Sequence, residues 1–322
     1  MNVIAHRWLA TVLLAASPLA WSQAYPTKPV RLIVPYPAGT VTDLVARRLS
    51  DRAAIGLGQP IVVENRAGAA ATVGAQAVAR ASPDGYTLLF GTNQTHATNS
   101  VVLKNQGYDA KKDFTPIARL VVNSQVLAVS AELGVKSLQE LIALAKAKPG
   151  TLSFVSAGRG TTAHLAGEYF KSLAGLDLTH VPYNSAQLMT DLISGRTSMI
   201  IYPYVALKPH IQSGKLIPLA TLGTTRPDWM RNVPTMVEAG FPDLVFVSWF
   251  ALYGPANLAQ GVAKSMSDAY CRVLSDRETA AGLVADGSEP SCTGPAELAE
   301  FNASEIERVQ RVVKKSQLTF DE

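Results

Sequence analysis

Cysteine is nearly absent from this chain: Cys271 and Cys292 are the two in 322 residues. Two cysteines cannot staple a scaffold together, and neither sits in the spacing of a zinc site, so the fold must rest on an ordinary hydrophobic core. A disulfide between them and a pair of buried thiols both remain open. Charge is sparse as well, at 17% Asp, Glu, Lys and Arg with a formal net charge of +4. No basic run of five or more residues occurs, so nothing points to nucleic acid. Catalytic signatures are missing too. There is no Gly-x-Ser-x-Gly elbow, no Gly-x-x-x-x-Gly-Lys-Ser/Thr phosphate loop and no His-Glu-x-x-His pair. His96, His164, His180 and His210 stand singly, and neither a metal nor another cofactor is expected.

Long apolar runs are lacking everywhere except near the start. His6 and Arg7 precede an apolar stretch over 8–16, and Ser22-Gln23-Ala24 supplies small residues at cleavage positions. That order reads as a secretory signal peptide over 1–24, too short to span a bilayer and removed near Ala24. Without a second such run or a cysteine for a lipid anchor, the mature chain is expected as a periplasmic monomer.

What fills the rest is an alternation of strands and helices. Strands are expected over 30–34, 61–63 and 86–90, with helices from 42 and over 73–81 between them. The pattern restarts with a strand over 125–130, a helix from Ser137 to 147, a strand over 152–156 and a helix to 173. A helix over 188–195, strands over 198–202 and 215–221, an extended apolar section over 245–253 and two C-terminal helices follow. Such alternation predicts an α/β fold with helices on both sheet faces. Two similar halves with a helical tail predict two lobes: 25–123 and 248–322 as the first, 124–247 as the second. The tail is expected to fold back on the first lobe, with the two crossings acting as a hinge.

Three strand-to-loop junctions could carry binding, because ligands of open α/β sheets lie beyond the carboxyl ends of strands. The first offers Tyr36, Ala38, Gly39, Thr40 and Asp43 ahead of a helix N-terminus, a natural anion site. The second, after the strand ending at Phe90, is the polar run 91–99 with Thr92, Asn93 and Thr95. The third holds Ser156, Gly158, Thr161 and Thr162. Gly158-x-Gly160-x-x-Ala163, with Asp177 downstream, also fits a dinucleotide fingerprint, but in mid-chain of an exported protein the same geometry serves a carboxylate equally well. An enzyme would need Ser156 and His164 as nucleophile and base, with Glu168 nearby.

These junctions also carry a resemblance. Tyr25-Pro26-x-Lys28-Pro29-Val30-Arg31 and Pro35-Tyr36-Pro37-Ala38-Gly39-x-x-x-Asp43 are similar to the opening of the Bug (TctC-type) receptors, extracytoplasmic solute receptors of tripartite tricarboxylate transporters. The likeness continues through 58–66, 82–88, Gly158-x-Gly160-Thr161-x-x-His164 to Glu168, His180-Val181-Pro182-Tyr183, 233–240, Ser248-Trp249-Phe250 and Gly254-Pro255-Ala256. It implies a two-lobed periplasmic binding protein of type II with mixed sheets and a hinge between lobes. Such a receptor performs no catalysis and delivers a small carboxylate to membrane permease subunits. It further implies that the first loop holds the carboxylate, that the second and third loops complete the cleft, and that Tyr183 closes it.

This chain departs from the family pattern in places. Thr40 stands where a second glycine is usual, Asn184 where a Lys-Gly pair is common, and Ile201-Tyr202-Pro203 where many members carry Phe-Asp-Asn. With Tyr202 in place of an acid, the expected ligand is an aromatic or dicarboxylic acid rather than one bearing an ammonium group. An exported hydrolase using Ser156 and His164, and a sensor reporting to a signalling partner, are the alternatives.

Overall fold

A computed structural model describes residues 25–320 apart from 184 and 186. The signal-peptide expectation for 1–24 lies outside the described residues. Among the described residues ten strands form the frame: β1 (Val30–Val34), β2 (Ile61–Asn65), β3 (Thr87–Thr92), β4 (Phe114–Ser130), β5 (Leu152–Ser156), β6 (Leu178–Pro182), β7 (Met199–Pro203), β8 (Leu216–Thr221), β9 (Val247–Pro255) and β10 (Ser288–Thr293). Ten α-helices pack on them: α1 (Val41–Leu57), α2 (Thr72–Ala79), α3 (Asn99–Val102), α4 (Leu138–Ala147), α5 (Thr162–Ala174), α6 (Gln187–Ile193), α7 (Tyr204–Gln212), α8 (Gln260–Ser275), α9 (Arg277–Ala285) and α10 (Pro295–Lys315).

The strands run β2-β1-β3-β9-β4-β7-β5-β6, with β10 and β8 also paired to β4. In the first lobe β1 is parallel to β2 and β3, while β9 enters antiparallel between β3 and β4. In the second, β5 is parallel to β6 and β7, and β7 and β8 run antiparallel to β4. β1 and β3 are almost wholly apolar because helices cover both their faces. Buried Val45, Ala46, Leu49 and Ala53 form the inner stripe of α1.

β4 belongs to both sheets. Residues from Phe114 to Ser124 pair with β9, and Gln125 to Val129 pair with β7, so one strand passes directly from lobe to lobe. The C-terminal helix reaches both lobes as well. Leu298 joins Trp249 and Tyr253 in the first lobe, whereas Ile306, Val309 and Val312 enter the core of the second. Twenty-one residues give α10 a reach of about 30 Å, enough to bridge both. Polar contacts fix it: Trp249 Nε1 donates to Glu305 at 3.2 Å and Tyr253 Oη to Asn302 at 3.0 Å. Cys271 and Cys292 are bonded, tying α8 to β10 and closing the question of their state.

Candidate functional site

A cavity of about 690 Å³ opens between the lobes. Its walls are built from the turns that follow β1 and β5, and the two turns are near copies. After β1, Thr40 caps α1: its Oγ1 accepts from the Asp43 N–H at 3.5 Å and donates to the Pro37 carbonyl at 2.8 Å. Asp43 reaches back and accepts from the Gly39 N–H at 2.9 Å. After β5, Thr161 caps α5 in the same way, accepting from the His164 N–H at 3.4 Å and donating to the Gly158 carbonyl at 2.8 Å. His164 Nδ1 then accepts from the Gly160 N–H at 3.0 Å. Both glycines adopt left-handed backbone, φ +81° at Gly39 and +77° at Gly160, which a side chain would strain. This is a reciprocal cap in which the third helical residue secures the amide ahead of the capping threonine.

Each helix therefore turns its first, intrahelically unpaired N–H groups and its positive dipole end toward the same space. Thr40, Val41 and Thr42 line it from one lobe, and Thr161, Thr162 and Ala163 from the other. Among the described lining residues none is Asp, Glu, Lys or Arg. An anion here meets backbone amides and hydroxyls, with no side-chain cation to pair with.

Of the residues singled out in the sequence, Tyr36, Ala38, Gly39, Thr40, Thr92, Asn93, Thr161, Thr162, Tyr183 and Tyr202 line the cavity. Asp43, Thr95, Ser156 and Gly158 are not among its lining residues. Asp43 points back into the protein, 2% exposed, held by Arg47 Nε at 3.0 Å and Asn65 Nδ2 at 2.8 Å. Burial alone would raise its pKa, but hydrogen bonds from Arg47, Gly39 and Asn65 outweigh that and keep the carboxyl below its ordinary range. Thr95 pins the second turn from within, its Oγ1 accepting from the Thr92 N–H at 3.0 Å. That segment is a buried helical turn running into α3 rather than an open polar loop. Ser156 is fully buried behind the third turn and donates to the Gly158 carbonyl at 3.0 Å. Its other partner is His180 Nε2 at 2.7 Å, not His164, which dissolves the nucleophile-and-base pairing.

One contact already joins the lobes across the cleft: Asn93 Nδ2 donates to Thr162 Oγ1 at 2.6 Å. Nearby, Tyr36 Oη and Thr92 Oγ1 lie 3.1 Å apart, and burial pushes the Tyr36 phenol up to about 12, so it stays protonated. Burial likewise raises Tyr202. Tyr183 spends its hydroxyl on Asp191 at 2.9 Å. The remaining wall is largely apolar, with Leu188, Met189, Ala206 and Phe250.

Several lining residues escaped the sequence reading. Gln125 and Ser248 meet at 3.0 Å on the two crossing strands, and His210 comes from α7. Burial first, and Lys215 second, lower the His210 pKa, keeping it neutral at neutral pH. The pairing of β4 and β9 brings Gln125 and Ser248 together, whereas His210 reaches the cavity from a helix of the second lobe. Away from the cleft, His164, Glu168 and His180 also converge, which no sequence spacing announced because His180 comes from β6.

The chain resembles known proteins over most of its length. The family model for tripartite tricarboxylate transporter family receptors matches residues 45–318. Protein BugT of Bordetella pertussis is 33% identical over 311 residues, 96% of this chain and 95% of its own. A solved periplasmic transporter superposes with a TM-score of 0.87 at 37% identity, over 92% of this chain and 100% of the other. A second solved protein, from R. palustris with adipate, gives 0.87 at 33% identity, over 92% and 99%.

Proposed function

The chain belongs to the tripartite tricarboxylate transporter receptor family, and from that premise we propose that it captures a small dicarboxylic or aromatic acid in the periplasm for its transporter. Receptors of this family bind solutes and are not enzymes. The observation that carries the ligand class is the pair of matching helix N-termini aimed into one cavity free of charged side chains. Each helix end stabilises an anion by about 0.3–1 kcal/mol, up to about 2 kcal/mol where partly buried.

The carboxylate enters between Ala38–Thr42 and Thr161–Ala163, and the apolar wall of Leu188, Met189, Ala206 and Phe250 takes the rest of the molecule. No carboxylate lines the cavity, so an ammonium group would be desolvated there without a partner. The adipate found in a 33% identical relative fits the same demand: an anionic end followed by methylenes.

Lobe one comprises 25–123 and 248–322, and lobe two 124–247, with the hinge where β4 passes Ser124 and Gln125 and where β9 begins. Contacts from the second lobe, such as Thr161, Thr162 and Tyr183, exist only when the lobes are closed. A ligand shifts the equilibrium by that difference. The closed receptor then docks on membrane permease subunits. Among the described residues no helix is long and apolar enough to cross a membrane itself.

Calorimetric titration of the mature chain with adipate, malate, benzoate and aspartate tests this reading. Binding of adipate or benzoate, with aspartate silent, is the expected result. Tight binding of aspartate would reverse the ligand assignment, and silence from every acid would remove the carboxylate reading.

A further inference from the structure

On the side of the second lobe away from the cleft, a cavity of about 760 Å³ lies between α5 and the residues that follow α10. Three side chains with metal-ligating atoms open onto it: His164 and Glu168, one turn apart on α5, and His180 from β6. One ligand atom of each lies within 4.8 Å of the other two. We propose that these three side chains bind a divalent transition metal of the zinc type, and that its occupancy opposes carboxylate binding in the cleft.

Two imidazoles and a carboxylate, with a fourth position facing the open cavity, form an open zinc donor set that also suits nickel. Tetrahedral bonds of about 2.1 Å need donors about 3.4 Å apart, so the side chains must draw in slightly. His180 and Glu168 are only half-buried and have the freedom to do so. An outer shell is in place as well. His180 Nε2 meets Ser156 Oγ, whose own proton goes to the Gly158 carbonyl, so Nε2 carries the ring proton and Nδ1 keeps its lone pair. The charges around the cluster are Lys171, 3.6 Å from Glu168; Lys315, 2.7 Å from Asp243; and Arg159 at the exposed rim. A dication takes the place of Lys171 on Glu168.

The opposition between sites runs through the two nitrogens of His164. Its Nδ1 accepts from the Gly160 N–H, so the neutral ring carries its proton on Nε2. A metal on Nε2 sends that proton to Nδ1, which then faces the Gly160 amide donor to donor. The loaded ring cannot also secure the turn that presents Thr161 to the cleft. By linkage, ligand held on that turn weakens the metal equally. This second half rests on the cleft reading, whereas the metal site does not.

The test is calorimetric titration of the mature chain with ZnCl₂ and NiCl₂, with ¹⁵N NMR of the His164 ring and the Gly160 amide. One metal equivalent is expected, weakened at least about tenfold in Glu168→Gln and in His180→Gln. Zinc should move the His164 proton from Nε2 to Nδ1, shift the Gly160 amide and raise the Kd of adipate about tenfold, the worth of one lost hydrogen bond. In Glu168→Gln adipate should bind as in the unaltered protein, with or without zinc. Absence of metal binding, or binding unchanged in both variants, overturns the site. Zinc bound with the His164 tautomer and Gly160 amide unmoved overturns the opposition. If adipate fails to bind with no metal present, the cleft reading falls while the NMR signals still decide the metal proposal.

Discussion

Asp43 and His164 hold the same post in opposite lobes, each the third residue of its helix and each accepting from the glycine N–H ahead of the capping threonine, at 2.9 and 3.0 Å. One is a carboxylate tied to Arg47, the other a neutral imidazole. The two cleft walls thus share a geometry while differing in the charge behind it.

Removing the acceptor at Asp43 should damage both binding and stability. Asp43→Ala leaves the Gly39 amide without its acceptor and Arg47 with only its bond to Asn65. A drop in carboxylate affinity of about tenfold or more is expected, with a loss of about 1–3 kcal/mol in urea unfolding. Unchanged affinity would show that the turn holds its shape without the cap.

The lobe-to-lobe bond between Asn93 and Thr162 should favour closure even without ligand. Asn93→Ala is expected to weaken carboxylate binding severalfold, mainly through faster release, and to increase the radius of gyration of the free protein in solution scattering. An identical scattering profile would mean that other contacts set the closed population.

Acid should destabilise the protein earlier than its carboxylates alone would. Burial pushes His96 down to about 3; burial, then His180 and Arg159, push His164 to about 3; burial, then Arg159 and Lys171, push His180 to about 4, all against 6.5. The unfolded chain binds protons there first. Stability from these rings is therefore fully present above about pH 6.5 and falls as the pH drops toward 4. Asp43, lowered below its ordinary range, adds loss only at still lower pH. Urea midpoints between pH 7.5 and 4.5 check this, with a shallower slope expected in His180→Gln. A flat profile would mean that the rings charge without cost.

The bond between Cys271 and Cys292 closes a loop with a sequence separation of 21. On the chain-entropy view it contributes about 3 kcal/mol. The double Cys→Ser variant should lose about that in guanidinium unfolding and keep its carboxylate affinity, since neither residue lines the cleft.

Much of this arrangement was legible in the order of residues. The buried strand at 30–34 and the existence of the helix after it follow from local chemistry, whereas Thr42, which reads as that helix's cap, lies inside it and Thr40 is the cap. The matched turns were also visible, as Gly39-Thr40-x-x-Asp43 and Gly160-Thr161-x-x-His164, but their likeness shows only once the third helical residue is seen reaching back. Asp43 read as a ligand contact because residue type does not reveal which way a carboxylate faces. α7 was hidden by Pro209 within it, a residue that argues against helix. Gln125 and Ser248 become neighbours through long-range strand pairing, and His210 reaches the cavity from the helix that Pro209 disguised.

The place of β9 has a consequence for how the chain is made. It lies between β3 and β4, so the first lobe's sheet cannot be completed until residues 247–255 have been synthesised. The long delay between β4 and its missing neighbour keeps the early chain open, with sequence-distant pairing forming late. Any step that needs the chain unfolded therefore has a window that closes only once residues 247–255 are available to complete the sheet.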